Sequence, residues 1–331
     1  MKRILVTGGA GYIGSITVKM LLEQGYDVTV VDDLSRGHRE AVDSKLLCVM
    51  RLQDTDALVQ LINSRGCDAI IHFASFIEVG ESMRTPGIFF ENNFGGALSL
   101  LTAAATCGIK NLVFSSTAAV YGNPELVPIT EAQTLAPVSV YGESKVLIER
   151  MLPFFDEAHG LRSITLRYFN ACGADPSGQL GEAHNPETHL LPLVFRAIRT
   201  GEPVTVFGND YPTPDGTCIR DYVHVSDLAQ AHILALRSLD EGAPSNCFNV
   251  GTGCGHSVME LLTAVEKTTG RPVPYTMGLR RDGDPPQLVA DASKIRRALG
   301  WMPRYLDLPE IVSTAWVYDE NRLSGKLRSN N

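Results

Sequence analysis

The segment 141–145, YGESK, carries two side chains that together can move a proton. Of the ten tyrosines in the chain, Tyr141 is the only one followed four positions later by a lysine, Lys145. In a helix that begins at Tyr141, Lys145 lies one turn further along the same face. A free phenol has a pKa of about 10, and a neighbouring ammonium lowers it by favouring the phenolate. Tyr141 is therefore a candidate general base, although an exposed Tyr–Lys pair without chemistry has the same spacing.

The composition excludes several classes of function. The 331-residue chain has a formal net charge of −8, which disfavours a nucleic-acid-binding surface. No apolar run approaches the about 20 residues of a membrane span, and the chain begins with a strand-like run and not with a signal peptide. The seven cysteines contain no C-x-x-C pair. The sequence therefore predicts no disulfide framework and no metal site, and it favours a reducing cytoplasm.

A glycine-rich turn near the N-terminus predicts a dinucleotide site. It follows a strand-like run and precedes a helix and a second strand, which leads into Asp32, and its glycines are Gly8, Gly11 and Gly14. Such glycines let the backbone approach a pyrophosphate at the helix N-terminus, where unpaired N–H groups favour anions. The Asp32 carboxylate would accept hydrogen bonds from the adenosine ribose and repel a 2′-phosphate. The sequence therefore favours NAD over NADP.

Strands and helices alternate up to Asn170, which predicts an α/β fold with a Rossmann-type doubly wound parallel sheet. After the strands at 3–7 and 27–31, strands are predicted at 46–50, 68–73, 111–114 and 163–167, and helices at 56–63 and 92–107. Three hydroxyl residues, 115–117, follow one strand at the edge where such sheets bind ligands, although turns also favour these residues. We predict an NAD-binding domain at 1–170. A smaller α/β domain at 171–331 is predicted to bind mainly substrate, and some of its segments return to pack on the first domain.

The second part of the chain has shorter predicted elements and a set of arginines. Helices are predicted near 190–199 and 258–268, and strands near 204–207 and 247–250. Arg220, Arg280 and Arg281 can bind phosphate oxygens through their planar guanidinium groups. Surface salt bridges are the alternative interpretation, because Asp221 and Asp284 lie close by in the sequence.

Four longer motifs carry a family resemblance. They are TGGAGYIGS at 7–15, YGESK at 141–145, LRYFN at 166–170 followed by Gly173-Ala174, and the run 207–225 that contains FGNDYPTPDGT and RDYVHV. On these motifs the chain resembles the extended short-chain dehydrogenase/reductase family. Within that family it resembles the nucleotide-sugar 4-epimerase branch, over nearly its whole length up to about Trp316.

The resemblance implies an NAD-dependent isomerase that interconverts UDP-galactose and UDP-glucose through a transient 4-keto sugar. Tyr141 would remove the proton of the sugar 4-hydroxyl, Lys145 would lower the pKa of Tyr141, and Thr117 would hydrogen-bond the reacting oxygen. The resemblance also implies a homodimer, formed through a helix pair such as 92–107 and 144–159.

The resemblance further assigns residues to the two ligands. Those expected to bind NAD are Gly8, Gly11, Tyr12, Ile13, Gly14, Asp32, Asp33, Leu34, Ser35, Arg36, Gly37, Arg51, Leu52, Phe73, Ala74, Ser75, Asn93, Ser115, Tyr141, Lys145, Tyr168 and Phe169. Those expected to bind the UDP-hexose are Thr117, Tyr141, Asn170, His189, Leu190, Thr205, Phe207, Arg220, Arg281, Asp284 and Leu288.

Several positions depart from the family pattern. Arg51 stands where an acid usually contacts adenine, and an arginine can stack on the base instead. Ile77 replaces a frequent lysine, Thr117 a frequent serine, and His189 a common asparagine of the uridine pocket. Leu288 stands where some members carry a tyrosine beside the sugar C2. The shorter side chain predicts room for N-acetylated hexoses, unless Leu288 merely begins a buried strand.

Three alternatives to the 4-epimerase interpretation differ in what they require. A related enzyme acting on UDP-N-acetylhexosamine, UDP-pentose or UDP-uronate would keep the same machinery. A 4,6-dehydratase needs an additional acid and base beside the threonine, where this chain has Ala118 and Ala119. A non-catalytic dinucleotide-sensing protein can dispense with Tyr141 or Lys145, whereas this chain retains both.

Overall fold

The computed structural model describes residues 2–281 and 283–327. Its strands are β1 (Arg3–Thr7), β2 (Asp27–Asp32), β3 (Leu47–Val49), β4 (Ala69–His72), β5 (Asn111–Thr117), β6 (Arg162–Tyr168), β7 (Asn170–Cys172), β8 (Val204–Phe207), β9 (Ile219–His224), β10 (Asn246–Val250), β11 (Gly255–Ser257), β12 (Tyr275–Gly278) and β13 (Gln287–Leu288). Its α-helices are α1 (Tyr12–Glu23), α2 (Thr55–Arg65), α3 (Val79–Arg84), α4 (Pro86–Phe89), α5 (Gly96–Thr106), α6 (Val140–His159), α7 (Leu190–Thr200), α8 (Val225–Asp240), α9 (Val258–Thr269), α10 (Ser293–Leu299) and α11 (Leu308–Leu323). Short 3₁₀ turns occupy Arg39–Ala41 and Ala118–Tyr121.

A seven-stranded parallel sheet forms the larger part of the molecule, in the order β3-β2-β1-β4-β5-β6-β10. Central strands such as β4 are buried along their whole length, as expected for a sheet covered on both faces. Helices α1 and α8 cover one face, and α2, α5 and α6 cover the other. The predicted doubly wound α/β fold is confirmed. The strand order reverses between β1 and β4, which is where such sheets bind ligands.

Two elements from beyond residue 170, a strand and a helix, belong to the larger part of the molecule. Strand β10 pairs in parallel with β6, and α8 packs against α1. Phe248 and Val250 of β10 are buried in the same core as the first strands. The sequence did not identify which segments return to the first domain. The division of the chain at residue 170 remains a prediction. Residue 1 of the first predicted domain and residues 328–331 of the second lie outside the described residues.

Strands β7, β8, β9, β11, β12 and β13 and helices α7, α9 and α11 form a smaller α/β part with its own core. Strand β9 pairs with β11, β13 and β7, while β8 pairs with β12. Helices α7, α9 and α11 contribute the buried apolar residues of this second core. Of the described helices, none is both long and apolar enough to cross a membrane.

The helix predicted at 92–107 differs from the observed structure. Residues Phe90–Gly95 form a π-helical turn between α4 and α5. Within this turn the buried Asn93 side chain accepts from Phe76 N at 2.8 Å and donates to Phe76 O at 3.0 Å and to Ser144 Oγ at 3.1 Å. These tertiary hydrogen bonds favour the wider turn, and π turns of this kind are frequent at functional sites.

Candidate active site

The glycine turn between β1 and α1 packs directly against the end of β4. Gly8 has φ +71°, and a Cβ added there would lie 2.5 Å from Ala74 N. A Cβ on Gly14 would lie 2.1 Å from Gly8 O. No side chain caps the N-terminus of α1 at Gly11. The turn therefore presents backbone N–H groups at a helix N-terminus with space beside them, which fits the pyrophosphate of a dinucleotide.

Asp32 is fixed at the end of β2 by backbone hydrogen bonds. Its carboxylate accepts from Ala10 N at 3.0 Å and from Leu34 N at 2.9 Å, and Leu34 adopts a positive φ of 59°. Burial raises the pKa of Asp32, and the two N–H donors oppose that shift. A Cβ on Gly37 would lie 2.8 Å from the carboxylate, so the following loop also approaches it closely.

One cleft brings most of the predicted residues together at the switch point of the sheet. The predicted NAD residues that line it are Gly8, Gly11, Tyr12, Ile13, Gly14, Asp32, Asp33, Ser35, Arg36, Gly37, Leu52, Phe73, Ala74, Ser75, Tyr141, Tyr168 and Phe169. Predicted substrate residues Thr117, Asn170 and His189 line it as well. The other predicted NAD residues that do not line it are Leu34 and the buried Asn93, Ser115 and Lys145. Arg51 lies outside the cleft, because its side chain is 63% exposed and faces Glu91.

The side chains of Tyr141 and Thr117 meet at the cleft wall. Ser139 caps α6 by accepting from Gly142 N at 3.1 Å, which places Tyr141 in the first turn of the helix. Thr117 is the last residue of β5. One turn after Tyr141, the buried Lys145 donates from Nζ to Ser115 O at 3.0 Å. The end of β5 and the start of α6 thus fix all three predicted catalytic side chains.

The effect of Lys145 on the pKa of Tyr141 stays a prediction. Burial raises the pKa of Tyr141 to about 12, a hydrogen bond with Thr117 opposes this shift, and the Glu78 carboxylate adds to it. Burial also lowers the pKa of Lys145 to about 7. The Lys145 Nζ is 6.0 Å from the centre of the Tyr141 ring. Desolvation of the phenolate is therefore the largest influence on the pKa of Tyr141 in the free protein.

Glu78 is a cleft residue that the sequence analysis missed. It lines the cleft and forms an ion pair with Arg36, at 2.6 Å between Arg36 Nε and Glu78 Oε1. The Arg36 guanidinium also lies 5.0 Å from the centre of the Phe76 ring. This pair joins the loop after β2 to the segment after β4. No spacing in the sequence identifies Glu78, because its partner lies 42 residues away.

We expect Glu78→Gln to shift the pH dependence of activity. The Glu78 carboxylate raises the pKa of Tyr141, so its removal lowers that pKa. A base with a lower pKa is deprotonated at lower pH, and the acidic limb of the kcat/KM profile moves to lower pH. The matched control is Glu81→Gln in helix α3, which begins directly after Glu78; the Glu81 carboxylate pairs with the exposed Arg84. An unshifted acidic limb in Glu78→Gln would contradict this electrostatic role.

The remaining predicted substrate residues gather on the smaller part of the molecule. Arg220 forms an ion pair with Asp284, and the Arg281 guanidinium lies 4.0 Å from the centre of the Phe207 ring. Leu288 is the strand neighbour of Arg220 and packs, half-buried, against the larger core. Thr205 lies on β8 with Phe207, and Leu190 begins α7 directly after His189.

Comparison with known proteins identifies the family. Residues 4–251 match the model of the NAD dependent epimerase/dehydratase family. The chain belongs to this family. It is 49% identical over 326 residues to the UDP-glucose 4-epimerase of Lacticaseibacillus casei, covering 97% of this chain and 98% of that protein. The crystal structure of UDP-glucose 4-epimerase from Brucella ovis in complex with NAD is similar, with a TM-score of 0.93, 44% identity and coverage of 96% and 98%. The enzyme from Bifidobacterium longum in complex with NAD⁺ and UDP has a TM-score of 0.91, 34% identity and coverage of 98% and 100%. The family predicted from the motifs is confirmed.

Proposed function

We propose that this chain is an NAD-dependent isomerase that interconverts UDP-galactose and UDP-glucose by inverting C4 of the hexose. The observation that carries the proposal is the meeting of Tyr141 and Thr117 on the wall of a cleft whose floor is the glycine turn. Near-full-length relatives with this named activity support it. In the epimerase/dehydratase family, a dehydratase would need further acid–base groups beside Thr117, where Ala118 and Ala119 stand.

The cleft residues fit NAD. The N–H groups of the glycine turn would hold the pyrophosphate, and the Asp32 carboxylate, already oriented by Ala10 and Leu34, would accept from the ribose hydroxyls. Bound NAD would supply the acceptor and donor of the C4 hydride, and its positively charged ring would favour the phenolate form of the nearby tyrosine.

The chain itself moves the proton and holds the sugar. Tyr141 takes the proton of the 4-hydroxyl, and the Thr117 hydroxyl hydrogen-bonds the same oxygen. Because burial raises the pKa of Tyr141 to about 12, its deprotonation depends on the positive charge that the nicotinamide ring would bring and on the Lys145 ammonium. Arg220 and Arg281 provide the cations for the UDP phosphates. After the keto sugar has turned over in the pocket, so that hydride would return to the opposite face of C4, Tyr141 returns the proton to the C4 oxygen.

Two finer features are part of the proposal. Half-buried Leu288 leaves room beside the sugar C2, so UDP-N-acetylhexosamines are accepted as well. A similar structure, from Campylobacter jejuni, is named a UDP-Glc/GlcNAc 4-epimerase and has 38% identity and a TM-score of 0.84.

The chain also forms a homodimer through α5 and α6, on which Leu98 and Phe154 are exposed. Sedimentation velocity of the NAD-loaded protein tests this, and a monomer would contradict it.

The test of function is turnover of UDP-galactose by NAD-loaded protein without added reductant. We expect UDP-glucose to appear, detected with a coupled UDP-glucose dehydrogenase after removal of the protein, with no net consumption of bound NAD. A parallel reaction with UDP-N-acetylgalactosamine measures substrate range. Mass spectrometry distinguishes an isomer from a dehydrated product. No turnover by well-folded, NAD-loaded protein would overturn the proposal.

A further inference from the structure

The loop between β7 and α7 brings four potential metal ligands together. In Glu182, His184, Glu187 and His189, one donor atom from each side chain lies within 4.8 Å of every other. His189 Nδ1 is 2.9 Å from Glu187 Oε1 and 3.1 Å from Glu182 Oε1. His184 Nδ1 is 3.5 Å from Glu182 Oε1 and 4.0 Å from Glu187 Oε1. Nitrogen and oxygen donors therefore alternate around a closed ring.

The size of this ring fits a transition-metal ion. Zinc–ligand bonds of about 2.0–2.2 Å in a tetrahedral site place neighbouring donor atoms about 3.3–3.6 Å apart. The four observed separations lie on both sides of that value. Imidazole and carboxylate together are ligands for zinc and its neighbours in the transition series, whereas Mg²⁺ prefers oxygen donors alone.

The cluster is incompletely satisfied by the protein. The buried Nδ1 of His184 has no hydrogen-bond partner. Within the described residues, neither Glu182 nor Glu187 forms an ion pair with a lysine or arginine, and the Glu187 carboxylate accepts only the backbone N–H groups of His184, Thr188 and His189 besides its histidine contacts.

We propose that Glu182, His184, Glu187 and His189 bind one divalent transition-metal ion, with Zn²⁺ as the best fit. Glu182, His184 and His189 also line the cleft, so the ion ties this loop to the cleft wall. The sequence analysis predicted no metal site, because it considered only cysteine spacing. The pattern E-x-H-x-x-E-x-H becomes a ligand set only after the loop has folded back so that both imidazoles face both carboxylates.

Zinc titration of the full-length, NAD-loaded protein tests the proposal, after treatment with a chelator and removal of the chelator. By isothermal titration calorimetry we expect one Zn²⁺ per chain, together with a rise in melting temperature. His184→Ala and His189→Ala should each weaken binding at least tenfold, since loss of even an outer-shell partner costs about 10–100-fold. The control is His256→Ala, whose imidazole lies 3.8 Å from Glu260 on an exposed surface. Its Zn²⁺ affinity should equal that of the unsubstituted protein.

Two further measurements keep the result interpretable. His184→Gln retains a polar side chain, so it separates loss of the ligand from misfolding if the alanine variant is unstable. The visible spectrum of Co²⁺ in place of Zn²⁺ reports tetrahedral ligation. Absence of Zn²⁺ binding, unchanged affinity in both His184 variants, or equal affinity for Mg²⁺ would overturn the proposal. Binding is measured without substrate, so the outcome is independent of whether UDP-galactose is turned over.

Discussion

Replacing Tyr141 with phenylalanine should lower kcat for UDP-galactose by about 10²–10⁴-fold, the usual contribution of a general base. Of the Tyr141 and Thr117 side chains, only the Tyr141 phenol can form an anion that accepts the proton. Phenylalanine keeps the ring and therefore the packing of this buried residue, which is 7% exposed. Steady-state kinetics with UDP-galactose measures the loss.

The cofactor content of this variant distinguishes a lost base from a damaged site. The glycine turn and Asp32 are held by backbone contacts that do not involve the Tyr141 hydroxyl, so bound NAD should remain at the level of the unsubstituted protein. Tyr26→Phe is a control with the same chemical change, at a hydroxyl that accepts from Arg237 outside the cleft lining. Activity of Tyr141→Phe within about threefold of normal, against the expected range, would assign the base to another group.

The parts of the site that could be predicted from the sequence depend on neighbours along the chain. Each of these features lies within one strand–turn–helix unit: the glycine turn, Asp32 and the Tyr141–Lys145 spacing. The local sequence pattern is therefore enough to predict the local backbone geometry. The predicted strands and helices of the first 170 residues also matched the observed elements to within a few residues, apart from the π turn at Phe90–Gly95.

The parts that could not be predicted depend on burial and on distant partners. The direction of the pKa shift of Tyr141 follows from desolvation, which no spacing reports. The ion pair with Arg36 positions Glu78 in the cleft. The folding of one loop brings together the ring of Glu182, His184, Glu187 and His189. In each case the residue types are visible in the sequence, but their separation in space is not.

A buried ion pair behind Lys145 leads to the second large expected effect. Glu149 lies one turn after Lys145 on α6, and its carboxylate accepts from Arg167 Nε at 3.0 Å and from Ser116 Oγ at 2.5 Å. Arg167 also donates to Tyr121 Oη at 2.9 Å. Both charged side chains are 8% exposed. The network joins α6 to β5 and β6 directly beneath the catalytic residues.

Glu149→Ala should lower the free energy of unfolding by about 3–5 kcal/mol, because it leaves the Arg167 guanidinium buried without its counter-ion. Urea denaturation at saturating NAD measures the change. The double variant Glu149→Leu/Arg167→Met removes both charges and should recover most of the loss, since a buried pair replaced by apolar residues is often neutral. A double variant as unstable as Glu149→Ala would show that the unpaired charge is not the cause.

The same carboxylate also acts on the active site through Lys145. Burial lowers the pKa of Lys145 to about 7, and the Glu149 charge opposes this shift. The milder variant Glu149→Gln removes that charge and keeps the side-chain shape, so the pKa of Lys145 should fall further and its ammonium should be lost at a lower pH. If the charged form of Lys145 supports the Tyr141 phenolate, the alkaline limb of the kcat profile moves to lower pH. Both this shift and that of Glu78→Gln arise from the loss of a carboxylate that raises a neighbouring pKa, but Glu78→Gln moves the acidic limb. A profile with an unchanged alkaline limb would mean that Glu149 stabilises the fold without maintaining the charge of Lys145.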